Sequence, residues 1–198
     1  SAREPLWPVG MEGSISHSQL AGQGVALCGV RPAQGGMGLD LEAWLEADQA
    51  AQLWPGIVDE DEWGRLEAGA GAVGLDRSRG LTLVFSAKES LFKALYPRVG
   101  RYFDFLDARW LARTEQTLTL ELKAPLTPTL PAGWRCTLRW CICTRRSMSP
   151  RRPSRPMMST PSNPIGLRPA APCRRPKKPR LKRVKSCCRF VPQASSRL

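Results

Sequence analysis

The chain has 198 residues, with 30 Lys and Arg against 17 Asp and Glu and a formal net charge of +13 at pH 7. Residues 1–140 contain 14 of the basic residues and all of the acids, so the positive charge belongs to residues 141–198. No apolar run approaches the ~20 residues that a membrane-spanning helix needs. We therefore expect one compact, mildly acidic domain over residues 1–140, with a separate basic segment after it.

In chain order, apolar alternation predicts strands near 12–17, 23–31 and 37–42. Cys28 lies within an apolar run of the second strand, which predicts a buried free thiol. The later cysteines lack the spacing of a zinc site, and the chain has only one histidine. These features favour a reduced, cytoplasmic compartment.

The third predicted strand brings two acids to one face. Alternation directs Leu39 and Leu41 to one side and Asp40 and Glu42 to the other. Two carboxylates this close repel each other unless a cation lies between them, and oxygen ligands favour Mg²⁺. The alternative is an ordinary half-exposed strand with solvated acids.

The middle of the chain predicts a loop and helix zone over 45–66. The acids at 59–62 lie at the start of a helix, where the helix dipole stabilises negative charge. Alternating apolar residues then predict a short strand at 81–85. A helix follows over 86–96 and should end at Pro97.

That helix places Glu89, Phe92 and Tyr96 on one stripe. A carboxylate beside aromatic rings is costly to desolvate unless it is paired or binds a cation. Two simpler interpretations remain open. Ser86 and Glu89 have the spacing of a capping box, and Lys93 follows Glu89 at i+4 as in a surface ion pair.

Beyond the helix, we predict strands near 107–112, at 117–123 with alternating leucines, and at 134–140. A proline-rich turn at 125–131 separates the last two. Together with the central helix, these elements predict an α+β fold.

Three motifs occur in a characteristic order: SHS at 16–18, GLDLE at 38–42 and FSAKESLFKALYP at 85–97. With EPLWP at 4–8, they resemble the surfactin-type 4′-phosphopantetheinyl transferases, in particular the branch of enterobactin synthase component D. The resemblance extends over residues 3–140. It implies an enzyme built from two pseudo-symmetric α/β halves.

The resemblance also implies an activity. The family transfers the 4′-phosphopantetheine group of coenzyme A, with Mg²⁺, to a serine of an acyl, aryl or peptidyl carrier protein in siderophore or nonribosomal peptide synthesis. A serine attacking a pyrophosphate requires neutralisation of negative charge, which Mg²⁺ and lysines supply. The implied partners are coenzyme A and the carrier protein, with no membrane.

Matching the motifs position by position assigns metal binding to Asp40, Glu42 and Glu89, catalysis to Glu89 and Lys93, and coenzyme binding to Ser16, His17, Lys88 and Lys93. Glu89 is the candidate base for the serine hydroxyl. Simpler interpretations exist here too. A lone histidine such as His17 is usually a structural hydrogen-bonding residue, and Lys88 could be a solvated helix lysine.

The end of the chain, 141–198, is rich in Arg and Pro and predicts disorder. Its basic run at 174–185 is typical of a nuclear-localisation or polyanion-binding patch. Nucleic-acid or polyanion binding through this segment is therefore the alternative function. We favour a different explanation, a shifted reading frame, because the resemblance stops within a few residues of Cys141.

The match to the family begins at about Arg3, and this residue corresponds to a point partway along the family pattern. We therefore expect the first α/β half to be truncated. Because the missing segment supplies coenzyme contacts in the family, the resemblance implies weak transfer, or none, by this chain.

Overall fold

The computed structural model describes residues 5–20, 22–68, 75–142 and 186–191. The described strands are β1 Met11–Leu20, β2 Gln23–Pro32, β3 Leu39–Glu42, β4 Ala108–Arg113, β5 Thr117–Leu122, β6 Arg135–Ile142 and β7 Ser186–Val191. The described helices are α1 Ala47–Leu53, α2 Glu60–Ala68 and α3 Arg77–Val99, with 3₁₀ turns at Trp54–Gly56 and Phe105–Asp107. The α+β class is confirmed, while the two pseudo-symmetric halves stay a prediction.

The strands form two sheets. β1 and β2 make an antiparallel hairpin, and the other five form an antiparallel sheet in the order β3-β7-β6-β5-β4. The predicted alternation in β5 is confirmed, because Leu118, Leu120 and Leu122 are all buried. They share one hydrophobic core with leucines of α3, including Leu83 and Leu91. α3 is therefore the element around which the fold packs.

α3 is longer than the sequence predicts. The strand expected at 81–85 is wrong, because these residues are helical. Asp76 caps the helix, and its carboxylate accepts a hydrogen bond from the backbone N–H of Arg79. Pro97 does not stop α3 but lies in its last turn, and the helix ends before Gly100, whose φ of 68° is left-handed. Ser86 lies inside the helix, so the capping-box interpretation is also wrong.

Close contact between β3 and α3 depends on Gly38. A Cβ atom at this position would lie 1.7 Å from the backbone oxygen of Ser90, a distance that no side chain tolerates. Gly36, with φ of 122°, approaches the backbone oxygen of Ala94 in the same way. These two glycines let the strand that carries Asp40 lie directly against the helix.

The β1–β2 hairpin lies against the edge of the larger sheet. On β1, Ser14 and Ser16 are buried, while Ile15 and His17 on the opposite face are exposed. Cys28 on β2 is exposed, so the predicted buried thiol is wrong. The physical reason is that β2 is covered by other elements on too little of its surface to bury the apolar run.

The predicted disorder of residues 141–198 is wrong for 186–191, which form β7 between β3 and β6. Cys, Phe and Val in this stretch are favourable for a strand, and two neighbours satisfy its backbone. β6 also continues to Ile142, past the predicted boundary at 140. The basic run at 174–185 lies outside the described residues. Within the described part of the chain, no helix is long and apolar enough to cross a membrane.

Candidate active site

Asp40, on β3, is the centre of a polar cluster. Its side chain is only 2% exposed, although ionised carboxylates are rarely buried without partners. One carboxylate oxygen, Oδ1, accepts hydrogen bonds from the Lys93 ammonium at 2.7 Å and from the Ser16 hydroxyl at 2.8 Å. The other oxygen, Oδ2, is buried and has no hydrogen-bond partner. Such an oxygen is available to a further ligand.

Glu89, on α3, is the second acid of the cluster. Its carboxylate lies 3.8 Å from the Lys93 ammonium, with the i+4 spacing predicted from the sequence. Burial raises the pKa of Glu89, the Lys93 charge opposes this rise, and the Asp40 charge adds to it. Lys93 thus forms ion pairs with two acids from different elements.

Glu42 completes the predicted metal set, yet the structure does not assemble a metal centre. Glu42 is half-buried at the end of β3. Across residues 5–20, 22–68, 75–142 and 186–191, no group of three or more His, Cys, Asp or Glu side chains is arranged to hold a metal ion. The expected three-carboxylate arrangement is therefore not formed. The Lys93 ammonium supplies positive charge to Asp40 and Glu89 instead.

The donor set nevertheless fits a hard cation in part. Carboxylate oxygens are preferred Mg²⁺ ligands, and few of them are needed when water and phosphate complete the shell. Asp40 offers an unpartnered oxygen. Glu89 pairs with the same ammonium and is close enough for its pKa to respond to Asp40.

His17 does not join the cluster. It follows Ser16 on β1, and successive residues of a strand point to opposite faces. Ser16 is buried against Asp40, so His17 faces outward and is exposed. The expectation that His17 lies on the same cleft as Asp40 is therefore wrong for this structure.

Lys88 does not join the cluster either. Its side chain is 1% exposed, and the ammonium donates hydrogen bonds to the backbone oxygen of Ile57 at 2.8 Å and to Glu62 at 3.2 Å. Burial lowers the pKa of Lys88, and the Glu62 charge opposes this shift. Lys88 is thus neither a solvated helix lysine nor positioned for a coenzyme, because its ammonium is enclosed between α3 and α2.

Glu62 was not singled out in the sequence. Its carboxylate also accepts the backbone N–H groups of Trp110 and Asp59, so it joins α2 to α3 and β4. The acidic run at 59–62 suggested only favourable charges at a helix start. The overlooked signal is that Glu62 precedes buried Leu66 by four residues, which places both on one helix face.

Comparisons with known proteins agree with the motif order. Residues 36–142, more than half of the chain, match the family model described as the 4′-phosphopantetheinyl transferase superfamily. This stretch contains Asp40, Glu42, Glu89 and Lys93. The chain belongs to this superfamily.

The chain is similar to several characterised members. It is 39% identical over 97 residues to enterobactin synthase component D of Salmonella typhimurium, which covers 49% of this chain and 37% of that protein. It is 34% identical over 123 residues to the 4′-phosphopantetheinyl transferase Svp of Streptomyces mobaraensis, covering 61% and 47%. For the transferase Npt of Nocardia iowensis the identity is 32% over 125 residues, covering 60% and 46%. The chain spans less than half the length of these relatives.

Proposed function

We propose that the chain carries out, or forms the catalytic part of, Mg²⁺-dependent transfer of 4′-phosphopantetheine from coenzyme A to a serine of a carrier protein. The observation that carries the proposal is the Asp40–Lys93–Glu89 cluster, in which one ammonium joins two acids from β3 and α3. The superfamily membership of residues 36–142 supports the same reaction. A carrier protein of siderophore or nonribosomal peptide synthesis is the proposed partner, and the cytoplasm is the proposed compartment.

The reaction is a displacement at phosphorus. The carrier serine oxygen forms a bond to the β-phosphorus of coenzyme A, and the bond from that phosphorus to the bridging oxygen breaks. Adenosine 3′,5′-bisphosphate leaves, and the serine proton passes to a base. We assign the base to Glu89, because its carboxylate lies in the same cluster as Asp40 and Lys93 and matches the third acid of the family motif.

Lys93 is assigned to the coenzyme phosphates. Its side chain is 27% exposed, so it reaches solvent while its ammonium contacts Asp40. An ammonium in this position stabilises negative charge that develops on the pyrophosphate. Bound Mg²⁺ would neutralise the remaining phosphate charge, with Asp40 and Glu89 as the residues that would hold it. Coenzyme contact by His17 stays a prediction. We assign Lys88 a structural role.

The alternative, polyanion binding, rests on the basic run at 174–185. This run lies outside the described residues, so the alternative also stays a prediction. It differs in an observable property, since polyanion binding weakens steeply as salt is raised.

The proposed function is tested by loading an apo carrier protein. The whole chain, at high concentration, is incubated with carrier protein, coenzyme A and Mg²⁺, and the carrier is followed by intact-mass spectrometry. We expect slow addition of one phosphopantetheine group that stops with a chelator. Glu89→Gln should lower the rate at least ~100-fold, the usual scale for removing a general base. Glu60→Gln, an exposed acid on α2, is the matched control and should leave it unchanged.

Two results would contradict the proposal. The first is no loading above the rate without the chain, under conditions where an active transferase modifies the same carrier. The second is an equal rate for wild type and Glu89→Gln, which would leave transfer possible but remove Glu89 from the chemistry.

A further inference from the structure

Ser16 is buried, with 5% of the residue exposed, and the hydrogen bonds of its hydroxyl go to β3. Its hydroxyl oxygen accepts the backbone N–H of Leu41 at 3.1 Å. The same hydroxyl donates to Asp40 Oδ1 at 2.8 Å. A serine hydroxyl has a single proton to donate, so this proton is committed to the carboxylate. Ser16 is therefore turned toward Asp40 and away from solvent.

These contacts determine how Asp40 presents its two oxygens. Ser16 and Lys93 both donate to Oδ1, from β1 and α3 respectively. Oδ2 is left buried without a hydrogen-bond donor. Two donors on one oxygen fix the rotation of the carboxylate. The oxygen that remains is the one that a cation can bind.

We propose that Ser16 is a positioning residue for Asp40, because its hydroxyl orients the carboxylate for a divalent cation. The inference rests on the proposed function, because it concerns cation binding at Asp40. This role is separate from the coenzyme-binding role that the family resemblance implies for Ser16, which stays a prediction. Hydrogen bonds to a metal-binding carboxylate from outside the coordination shell commonly contribute 10–100-fold to affinity.

The chain contains a matched control in Ser14. It lies on the same face of β1, is also 5% exposed, and binds β3 through its hydroxyl. That hydroxyl donates to the backbone oxygen of Leu39 at 3.3 Å and accepts the N–H of the same residue at 3.0 Å. Ser14 therefore anchors β1 to β3 as Ser16 does, without touching a carboxylate. Any effect on strand packing alone should appear equally in both serines.

The test uses Mn²⁺ as the probe, with the whole chain and no coenzyme. Free Mn²⁺ is measured by electron paramagnetic resonance during titration, and thermal unfolding is recorded for each variant. Ser16→Ala should weaken Mn²⁺ binding about 10–100-fold, and Ser14→Ala should change it less than about twofold. Both should lower the melting temperature by similar amounts. Ser16→Thr, which keeps the hydroxyl, should restore most of the affinity.

The measured affinities distinguish a failure of the proposed cation site from a failure of the role proposed for Ser16. If wild type binds no Mn²⁺, or Asp40→Asn binds it equally well, the proposed cation site is wrong and the inference falls with it. If wild type binds through Asp40 but Ser16→Ala matches Ser14→Ala, Ser16 only anchors the strand and the inference alone is overturned. Should Ser16→Ala unfold, Ser16→Cys is measured instead, because it keeps the side-chain size with a much weaker donor.

Discussion

Two lysines on α3 show how differently one residue type can be used within a single motif. Lys88 and Lys93 are five residues apart and point about 140° away from each other around the helix. Lys88 is 1% exposed and paired with an equally buried Glu62, whereas Lys93 is 27% exposed and shared by Asp40 and Glu89. Both lysines pair with a buried acid, so exposure of the lysine itself, more than the motif, separates a structural lysine from one available to a ligand.

The largest expected difference between the two lysines is the loss of stability when each charge is removed in turn. Lys88→Met should destabilise the fold by about 3–5 kcal/mol, because it leaves the Glu62 carboxylate buried without its counter-ion. Lys93→Met should cost about 1.5 kcal/mol, since Lys93 is itself part-exposed and Asp40 keeps the Ser16 hydroxyl as a hydrogen-bond donor. Urea unfolding followed by circular dichroism measures both. Equal losses would mean that the two lysines are not distinct in role.

Ligand binding should rank the two lysines in the opposite order. On the proposed function, Lys93→Met should weaken coenzyme A binding in Mg²⁺ by about 10–100-fold, because one charge-assisted contact to phosphate is lost. Isothermal titration calorimetry measures the effect. The control is Lys88→Met/Glu62→Gln, which should bind the coenzyme as wild type does. A larger loss in the control would place Lys88 in the coenzyme site after all.

Neutralising both members of the buried pair tests whether the unpaired Glu62 charge causes the loss of stability in Lys88→Met. Lys88→Met/Glu62→Gln should recover at least about 2 kcal/mol of the stability lost in Lys88→Met, because no buried charge remains unpaired. The amide oxygen of glutamine can still accept the backbone N–H of Trp110 that Glu62 binds. The unfolding free energies of the single and double variants are compared directly. No recovery would indicate that lost packing, not charge, dominates at Lys88.

The smallest effect is a pH dependence at Lys88. Burial lowers its pKa in the folded state, while the unfolded chain has the ordinary value of about 10.4. Between those two values the unfolded state binds more protons, so stability rises with pH by up to about 1.4 kcal/mol per unit. The measurement is the unfolding free energy of wild type relative to Lys88→Met/Glu62→Gln on the alkaline side. A relative decrease over that window would contradict the direction of the shift.

Local patterns in the sequence were enough for much of the architecture. The strands before and after the central helix were predicted where alternation was regular, as in Leu118, Leu120 and Leu122. The pairing of Glu89 with Lys93 also follows from sequence, since i+4 spacing on a helix makes the contact local. The proximity of Asp40 to Glu89 required the family resemblance, because they lie on different elements.

The predicted strand at 81–85 shows why periodicity alone can mislead. Leu81, Leu83 and Val84 are all buried within α3, because the helix is surrounded by other elements over its first half. A helix buried on several sides loses the 3.6-residue pattern, and alternating leucines then look like a strand. The capping residue Asp76 was the available signal.

Roles that depend on tertiary partners could not be predicted. Nothing local to Lys88 indicates that Glu62 will reach it from α2, and nothing local to Ser16 indicates that its hydroxyl will be engaged by Asp40. For His17 the motif placed a residue next to the site, but strand alternation turned it outward. In each case the sequence motif indicated a residue near the site, while the direction of its side chain determined which partner it contacts.

The position of β7 has a consequence for the order of folding. Its ladder pairs residue 39 with residue 189, and it separates β3 from β6 in the five-stranded sheet. Contacts this distant in sequence form slowly, because the chain loses the entropy of closing a long loop before the contacts can stabilise it. Among the described strands β3 pairs only with β7, so during synthesis this pairing waits until residues 186–191 emerge from the ribosome. Completion of the sheet beside Asp40 therefore follows the synthesis of every other described strand.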